Sequence, residues 1–175
     1  MDASAMEQTQ TRWTVYESPL GPLTLVAGPE GLTALSFPGQ LRVPADARRE
    51  LLPEVTDQLD AYFAGELREF DLPLDLQGTP LERAVWSALL EIPYGETATY
   101  GEQTAQIDPS LFDPDVEPWQ RPRLIGAANG RNPIAIVVPC HRVIGADGSL
   151  TGYGGGLDRK RALLDLESSS QLALL

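Results

Sequence analysis

The chain of 175 residues holds one cysteine and one histidine, and they are neighbours, Cys140-His141, with Arg142 next. A thiol attacks as its thiolate, which it reaches through a nearby base, a cation or the positive end of a helix. An imidazole and a guanidinium are both at hand in sequence. Covalent chemistry at sulfur is therefore one reading. A small buried hydrophobe is the other, because a lone cysteine after an apolar run commonly only packs, and a catalytic cysteine usually finds its histidine far away in sequence. A single cysteine excludes an internal disulfide. One cysteine and one histidine also fall short of the four ligands of a structural zinc site, so no metal is expected.

The elements around the pair must position it. Residues 134–138, Ile-Ala-Ile-Val-Val, read as a buried strand that Pro139 ends for want of an N–H, leaving Cys140 at the strand's exit. Behind it, Gly145-Ala146-Asp147-Gly148 reads as a tight turn. Thr151-Gly152-Tyr153-Gly154-Gly155-Gly156 is a loop lined mostly by backbone, either a hinge or the wall of a pocket for a flat ligand. Residues 157–167 form a last helix.

Ahead of the pair, Thr79 caps a helix with Pro80 at its first position and Leu81, Val85, Trp86 and Leu89 on its inner face. Pro93-Tyr94-Gly95 breaks the chain. Helices over residues 99–107 and 122–130 follow as a helix-turn-helix, the second carrying small residues that suit close approach to another helix or to a nucleic-acid groove. In the first half, strands over 11–16, 23–27 and 32–37 alternate with Gly- and Pro-containing turns that suit antiparallel hairpins. Residues 39–49 read as loop. A helix starting at Pro53 and stopped by Gly65 buries Val55, Leu59, Tyr62 and Phe63, and Phe70, Leu72 and Leu74 form a strand or an extended linker. The fold class is α/β in its α+β form. A small antiparallel-sheet domain over residues 1–77 precedes a helical domain over 78–175 with a winged-helix-like helix-turn-helix.

A formal charge of -12 argues against gripping nucleic acid by bulk electrostatics, since phosphate binding rests on counterion release by Lys and Arg. The distribution says more. Residues 118–146 contain no Asp or Glu but do contain Arg121, Arg123, Arg131 and Arg142, and Lys160 is the one lysine among 13 basic residues. An acidic body with an arginine strip suits a DNA binder of modest affinity. No apolar run approaches the length of a membrane span and residues 1–12 have no apolar signal core, so no membrane partner and a cytoplasmic location are expected.

The run Pro139-Cys140-His141-Arg142-Val143-Ile144-Gly145, preceded by Gly126-Ala127-Ala128-Asn129-Gly130-Arg131-Asn132-Pro133, resembles the signature of the O6-alkylguanine-DNA alkyltransferases, the methylated-DNA-protein-cysteine methyltransferases. Gly78-Thr79-Pro80, Ile92-Pro93-Tyr94-Gly95, Thr99-Tyr100-Gly101 and Thr151-Gly152-Tyr153 extend the resemblance. It implies a DNA repair protein that flips O6-alkylguanine, with O4-alkylthymine a second candidate lesion, out of duplex DNA and takes the alkyl group irreversibly onto Cys140.

The resemblance also implies roles. His141 would be the base through a water, Glu167 would orient it, Tyr100 would assist nucleotide rotation and hydrogen-bond guanine N3, and Asn132 would be the hinge. Arg123 would plug the duplex, with Leu124, Gly126 and Arg131 on the DNA side. Val143, Tyr153 and Gly154 would line the substrate pocket, the Val143 carbonyl reading the guanine amino group and the Gly154 N–H reaching O6. No cofactor is required, and a monomer is expected. Two other readings stand beside it: a lesion-sensing module of the same fold that transfers nothing, and a thiol hydrolase unrelated to DNA.

The chain departs from the family pattern at Gln103, where relatives carry an apolar residue, and at Leu166 and Ser168. It also carries extra residues between Ile107 and Arg121. Asp108, Asp113, Asp115 and Glu117 make that segment acidic, either as a tolerated surface insertion with solvated charge or as a loop beside the DNA path that repels phosphate, with Phe112 and Trp119 anchoring it against the protein.

Overall fold

The computed structural model describes residues 10–172. They fall into two compact units, one running to Leu76 and including Pro133–Ala135, the other comprising Gln77–Asn132 and the chain from Ile136 on.

In the first unit, β1 (Arg12–Ser18), β2 (Gly21–Gly28) and β3 (Gly31–Ser36) form the expected antiparallel meander. A fourth strand, β4 (Arg48–Arg49), lies within the stretch that reads as loop. It pairs parallel with β1, giving the order β3-β2-β1-β4. Gly31 is required at the head of β3: its φ is 144°, and a Cβ there would stand 2.4 Å from the Pro73 carbonyl oxygen. That close approach lets Leu32 N–H donate to Pro73 O (2.9 Å) and Asp75 N–H to Leu32 O (2.9 Å), so residues 70–74 run as an extended segment with a single bridge at Leu74. α1 (Pro53–Phe63) buries Val55, Leu59 and Tyr62 at helical spacing, and Gly65 leaves it at φ 76°.

The second unit is mainly helical. Thr79 and Glu82 form a reciprocal capping box at α2 (Pro80–Leu89), and Thr99 and Glu102 do the same for α3 (Tyr100–Ala105). α4 (Arg121–Gly130) buries Ile125, Ala128 and Asn129, and the Trp86 indole of α2 donates to the Ala128 carbonyl at 2.9 Å. β5 (Ala98–Thr99) pairs parallel with β6 (Val143–Ile144), and α5 (Leu157–Leu172) closes the described chain.

Residues 134–138 are not a strand. They are buried, as their composition demands, but only Ile134 makes a bridge, to Leu35 in the first unit. Ile136 then takes φ 72°, a left-handed conformation costly for a β-branched residue. Pro139, at φ -85° and ψ 63°, sits at the centre of an inverse γ-turn in which Cys140 N–H donates to Val138 O at 2.9 Å. Cys140–Arg142 follow as one 3-10 turn. The apolar run signalled burial, and the backbone spends it on a turn that delivers the cysteine.

Gln103 is also explained. It is buried in α3, and its side chain exchanges two hydrogen bonds, both 2.8 Å, with Asn129 of α4. The two amides satisfy each other inside the interface between α3 and α4. Asn129→Leu alone should therefore cost about 1–3 kcal/mol by stranding the Gln103 amide, while Gln103→Leu with Asn129→Leu should recover much of that loss. Denaturant unfolding of the three variants checks this, and additive losses would show that the pair is uncoupled.

Candidate active site

The turn at Pro139 brings Cys140 against Asn132, just beyond the C-terminus of α4. The Asn132 side-chain amide donates to Val138 O at 2.8 Å and to the Cys140 sulfur at 3.3 Å, so one residue ties the end of α4 to the cysteine turn. Burial pushes the Cys140 thiol above its ordinary pKa, and the Asn132 hydrogen bond and the charge of Lys160 only partly offset this. The resting group is a thiol, so any attack requires a base.

His141 is fully buried, and its Nε2 lies 2.7 Å from Glu167 Oε1. Glu167 is 1% exposed on α5. Burial pushes its carboxyl up, but hydrogen bonds and charge from His141 and Arg142 overcome this and hold it down at about 2. A carboxylate only accepts, so Nε2 carries the hydrogen and donates. Burial is the dominant influence on the imidazole itself and keeps it below 6.5, hence neutral. Nδ1 is then an unprotonated acceptor, buried and without a protein partner. That is the form of a resting general base.

Arg142 belongs to this cluster and not to the exposed arginine strip. Its Nε and Nη2 donate to Glu167 Oε2 and Oε1, both at 2.9 Å, its Nη1 donates to Ile92 O at 2.7 Å, and its guanidinium lies 5.7 Å from the Tyr94 ring centre. The strip is thereby reduced to Arg121, Arg123 and Arg131. Of these Arg131 is paired with Glu82 at 3.2 Å, and Arg121 lies over the Phe112 ring at 5.1 Å.

The Gly-rich loop is pinned from two sides. The Thr151 carbonyl accepts from the Tyr100 hydroxyl at the start of α3 (3.0 Å) and from Lys160 Nζ on α5 (3.1 Å). Lys160, 1% exposed, also donates to the Val143 carbonyl at 2.6 Å, so the carbonyl expected to read a base is already held by an ammonium. Burial lowers the Lys160 pKa, and the neighbouring Cys140 offsets only part of this. Tyr153 is half-buried with its hydroxyl inside. Burial first, then the charge Cys140 carries once ionised, push that hydroxyl well above its usual pKa. Gly154 is exposed.

On α4 the expected DNA residues divide. Arg123 and Leu124 are exposed, whereas Gly126 faces inward, where a Cβ would meet the Tyr100 ring at 3.5 Å. Its smallness serves packing against Tyr100. The anchoring expected of the extra segment is half met: Phe112 is buried, but Trp119 is 77% exposed. Sequence reasoning missed the structural roles of Arg142 and Lys160. The available signals were an arginine beside the single histidine and the chain's one lysine, both of which pair through contacts remote in sequence.

Glu167 gives a test of the cluster. Its carboxyl is lowered on folding from 4.5 to about 2, so the unfolded chain binds more protons across that window. Its contribution to stability is full above 4.5 and is lost as pH falls toward 2. Glu167→Gln should leave the Arg142 charge short of its partner, cost about 3–5 kcal/mol near neutral pH, and remove that part of the acid sensitivity. Urea unfolding against pH reads both effects. An unchanged acid limb in the variant would dissociate Glu167 from it.

Known proteins share this sequence and this fold. The family profile described as 6-O-methylguanine DNA methyltransferase, ribonuclease-like domain, matches residues 11–76, and the one described as its DNA binding domain matches residues 80–169. The methylated-DNA–protein-cysteine methyltransferase of Mycobacterium tuberculosis is 53% identical over 164 residues, covering 90% of this chain and 92% of that protein. The Methanosarcina acetivorans protein of the same name is 48% identical over 162 residues, covering 90% and 98%. A crystal structure of Mycobacterium tuberculosis OGT in complex with DNA superposes with a TM-score of 0.78 at 51% identity, over 92% of this chain and 94% of that one.

Proposed function

Because the chain belongs to the 6-O-methylguanine DNA methyltransferase family, we propose that it repairs O6-alkylguanine in duplex DNA by taking the alkyl group onto Cys140, once per molecule. The observation that carries the reading is a buried thiol in the same 3-10 turn as a neutral imidazole whose free Nδ1 can accept a proton and whose other nitrogen is fixed by an ionised Glu167. The logic is that of a triad oriented by a carboxylate.

The transfer is a displacement at saturated carbon. The Cys140 proton passes to His141 Nδ1, through a water if the two do not meet directly, and Glu167 stabilises the imidazolium. The sulfur lone pair forms the C–S bond, the bond between the alkyl carbon and O6 breaks, and its electrons go to guanine. Guanine regains a proton at N1, so the thiol proton is accounted for. The product is a thioether with no leaving group that water can displace under mild conditions, which makes the reaction stoichiometric. The overpacked thioether would also sit in the tight site that Asn132 closes.

A buried sulfur cannot reach an O6-alkyl carbon inside the base stack, so the nucleotide has to leave it. Arg123, exposed on α4, suits the plug that takes its place. Tyr100 suits the group that turns the nucleotide and hydrogen-bonds N3, exchanging its present bond to Thr151 O for one to the base. With Lys160 holding one lone pair of the Val143 carbonyl, the other remains for the guanine amino group, and the Gly154 N–H suits O6. O4-alkylthymine offers the same bond to sulfur. Every group in this path lies in one chain, and we take the acting form to be the monomer, with residues 1–77 as scaffold and 78–175 as the DNA-handling part.

Incubation with O6-methylguanine duplex should add one methyl group to the peptide bearing Cys140, detected by mass spectrometry, with no gain in Cys140→Ser. Methylation elsewhere, or none, would sink the assignment. Arg123→Ala should slow transfer from duplex by about tenfold or more and leave transfer from free O6-benzylguanine, which has no stack to leave, near the wild-type rate. Equal losses on both substrates would assign Arg123 to the fold or the pocket.

A further inference from the structure

Trp119 is the largest apolar side chain left exposed among the described residues, at 77%. It lies in a 3-10 turn (Pro118–Gln120) that runs directly into α4, with Gln120 and Arg121 already in helical conformation. One turn separates Trp119 from Arg123 and a second separates Arg123 from Ala127, and all three are exposed. Residues four apart share a helix face, so Trp119 continues the face of Arg123 and Ala127 toward the N-terminus, opposite the buried Ile125, Ala128 and Asn129.

The extra segment fixes the turn that carries Trp119. Phe112 is buried with the Arg121 guanidinium over its ring, Glu117 N–H donates to the Gln120 side chain at 2.9 Å, Gln120 N–H donates to Glu117 O at 2.9 Å, and Pro118 opens the turn. The segment's polar ends are satisfied internally, Asp108 accepting from Ser110 N–H and Asp113 from Asp115 N–H, both at 2.9 Å. A buried anchor and a fixed turn thus present one large apolar group outward, at low entropic cost to a partner.

Charge narrows the kind of contact. Glu117 stands two residues before Trp119, Asp108, Asp113 and Asp115 belong to the same segment, and the protein carries a net charge of -12, so this end of the face gains nothing from phosphate neutralisation. A neutral aromatic can bind a duplex there by burying its area against deoxyribose and the groove wall. We propose that Trp119 extends the DNA-binding face by one helical turn and packs its indole on the sugars and groove wall of the duplex flanking the lesion, a contact independent of ionic strength. This rests on α4 facing DNA.

The test compares wild type, Trp119→Ala and Trp119→Phe. For unmodified duplex, Trp119→Ala should raise Kd by about tenfold with the slope of log Kd against log salt unchanged, and Trp119→Phe should recover most of the affinity. Thermal melting and alkylation of Cys140 by free O6-benzylguanine should match wild type in both variants, because the indole is exposed. Equal duplex affinity of Trp119→Ala and wild type overturns the proposal, and so does a lost affinity accompanied by a changed salt slope. If wild-type Cys140 accepts no alkyl group from DNA or free base, the repair reading falls. The affinity comparison still decides Trp119.

Discussion

A carboxylate placed at 1% exposure must have its charge met, and Glu167 has it met twice, by the imidazole of His141 and by the forked guanidinium of Arg142. The arrangement links three separate stretches of chain. α5 supplies the anion, the 3-10 turn after Pro139 supplies both partners, and the Ile92 carbonyl takes the remaining arm of Arg142. Removing any one group leaves another buried and uncompensated, so the cluster holds or fails as a unit. It also sets the chemistry. An ionised Glu167 dictates the tautomer of His141, and the tautomer leaves Nδ1 as the basic site.

Around that cluster the site stays uncharged on its reactive side until it is used. Burial keeps Cys140 protonated and His141 neutral, which protects a thiol meant to react once. Among the described residues Lys160 is a buried cation on the pocket side. It is committed to the carbonyls of Val143 and Thr151, and so fixes the loop that would wrap the base. Tyr100 shares the Thr151 carbonyl and packs across Gly126, so α3, α4 and the Gly-rich loop meet at one ring.

α4 is positioned by contacts of a different kind. Trp86 reaches the Ala128 carbonyl, and the Gln103–Asn129 amide pair adds two directional bonds. Directional bonds fix the rotation of a helix about its axis more tightly than apolar packing does, and the rotation of α4 decides which residues face outward. Arg123, Leu124 and Ala127 are the result.

Much of the fold and of the site was legible in the residues. The hairpins follow from turn chemistry at Gly21 and Gly31, the helix starts from the capping boxes at Thr79 and Thr99, and the reactive pair from the isolation of Cys140 and His141. These signals are local, carried by φ preferences and by side chains reaching three residues along. Tertiary structure decided the rest. The apolar run 134–138 is equally buried as strand or as turn, and only the demands of the surrounding chain put Ile136 at φ 72° and turned the backbone at Pro139. Arg142 sits in an arginine strip by sequence, yet a carboxylate 25 residues away takes it inside. Trp119 has the composition of an anchor, but Phe112 is the aromatic that is buried and the indole stays outside. Sequence reports what each residue can satisfy, and the partner that does so across long stretches of chain exists only in the folded protein.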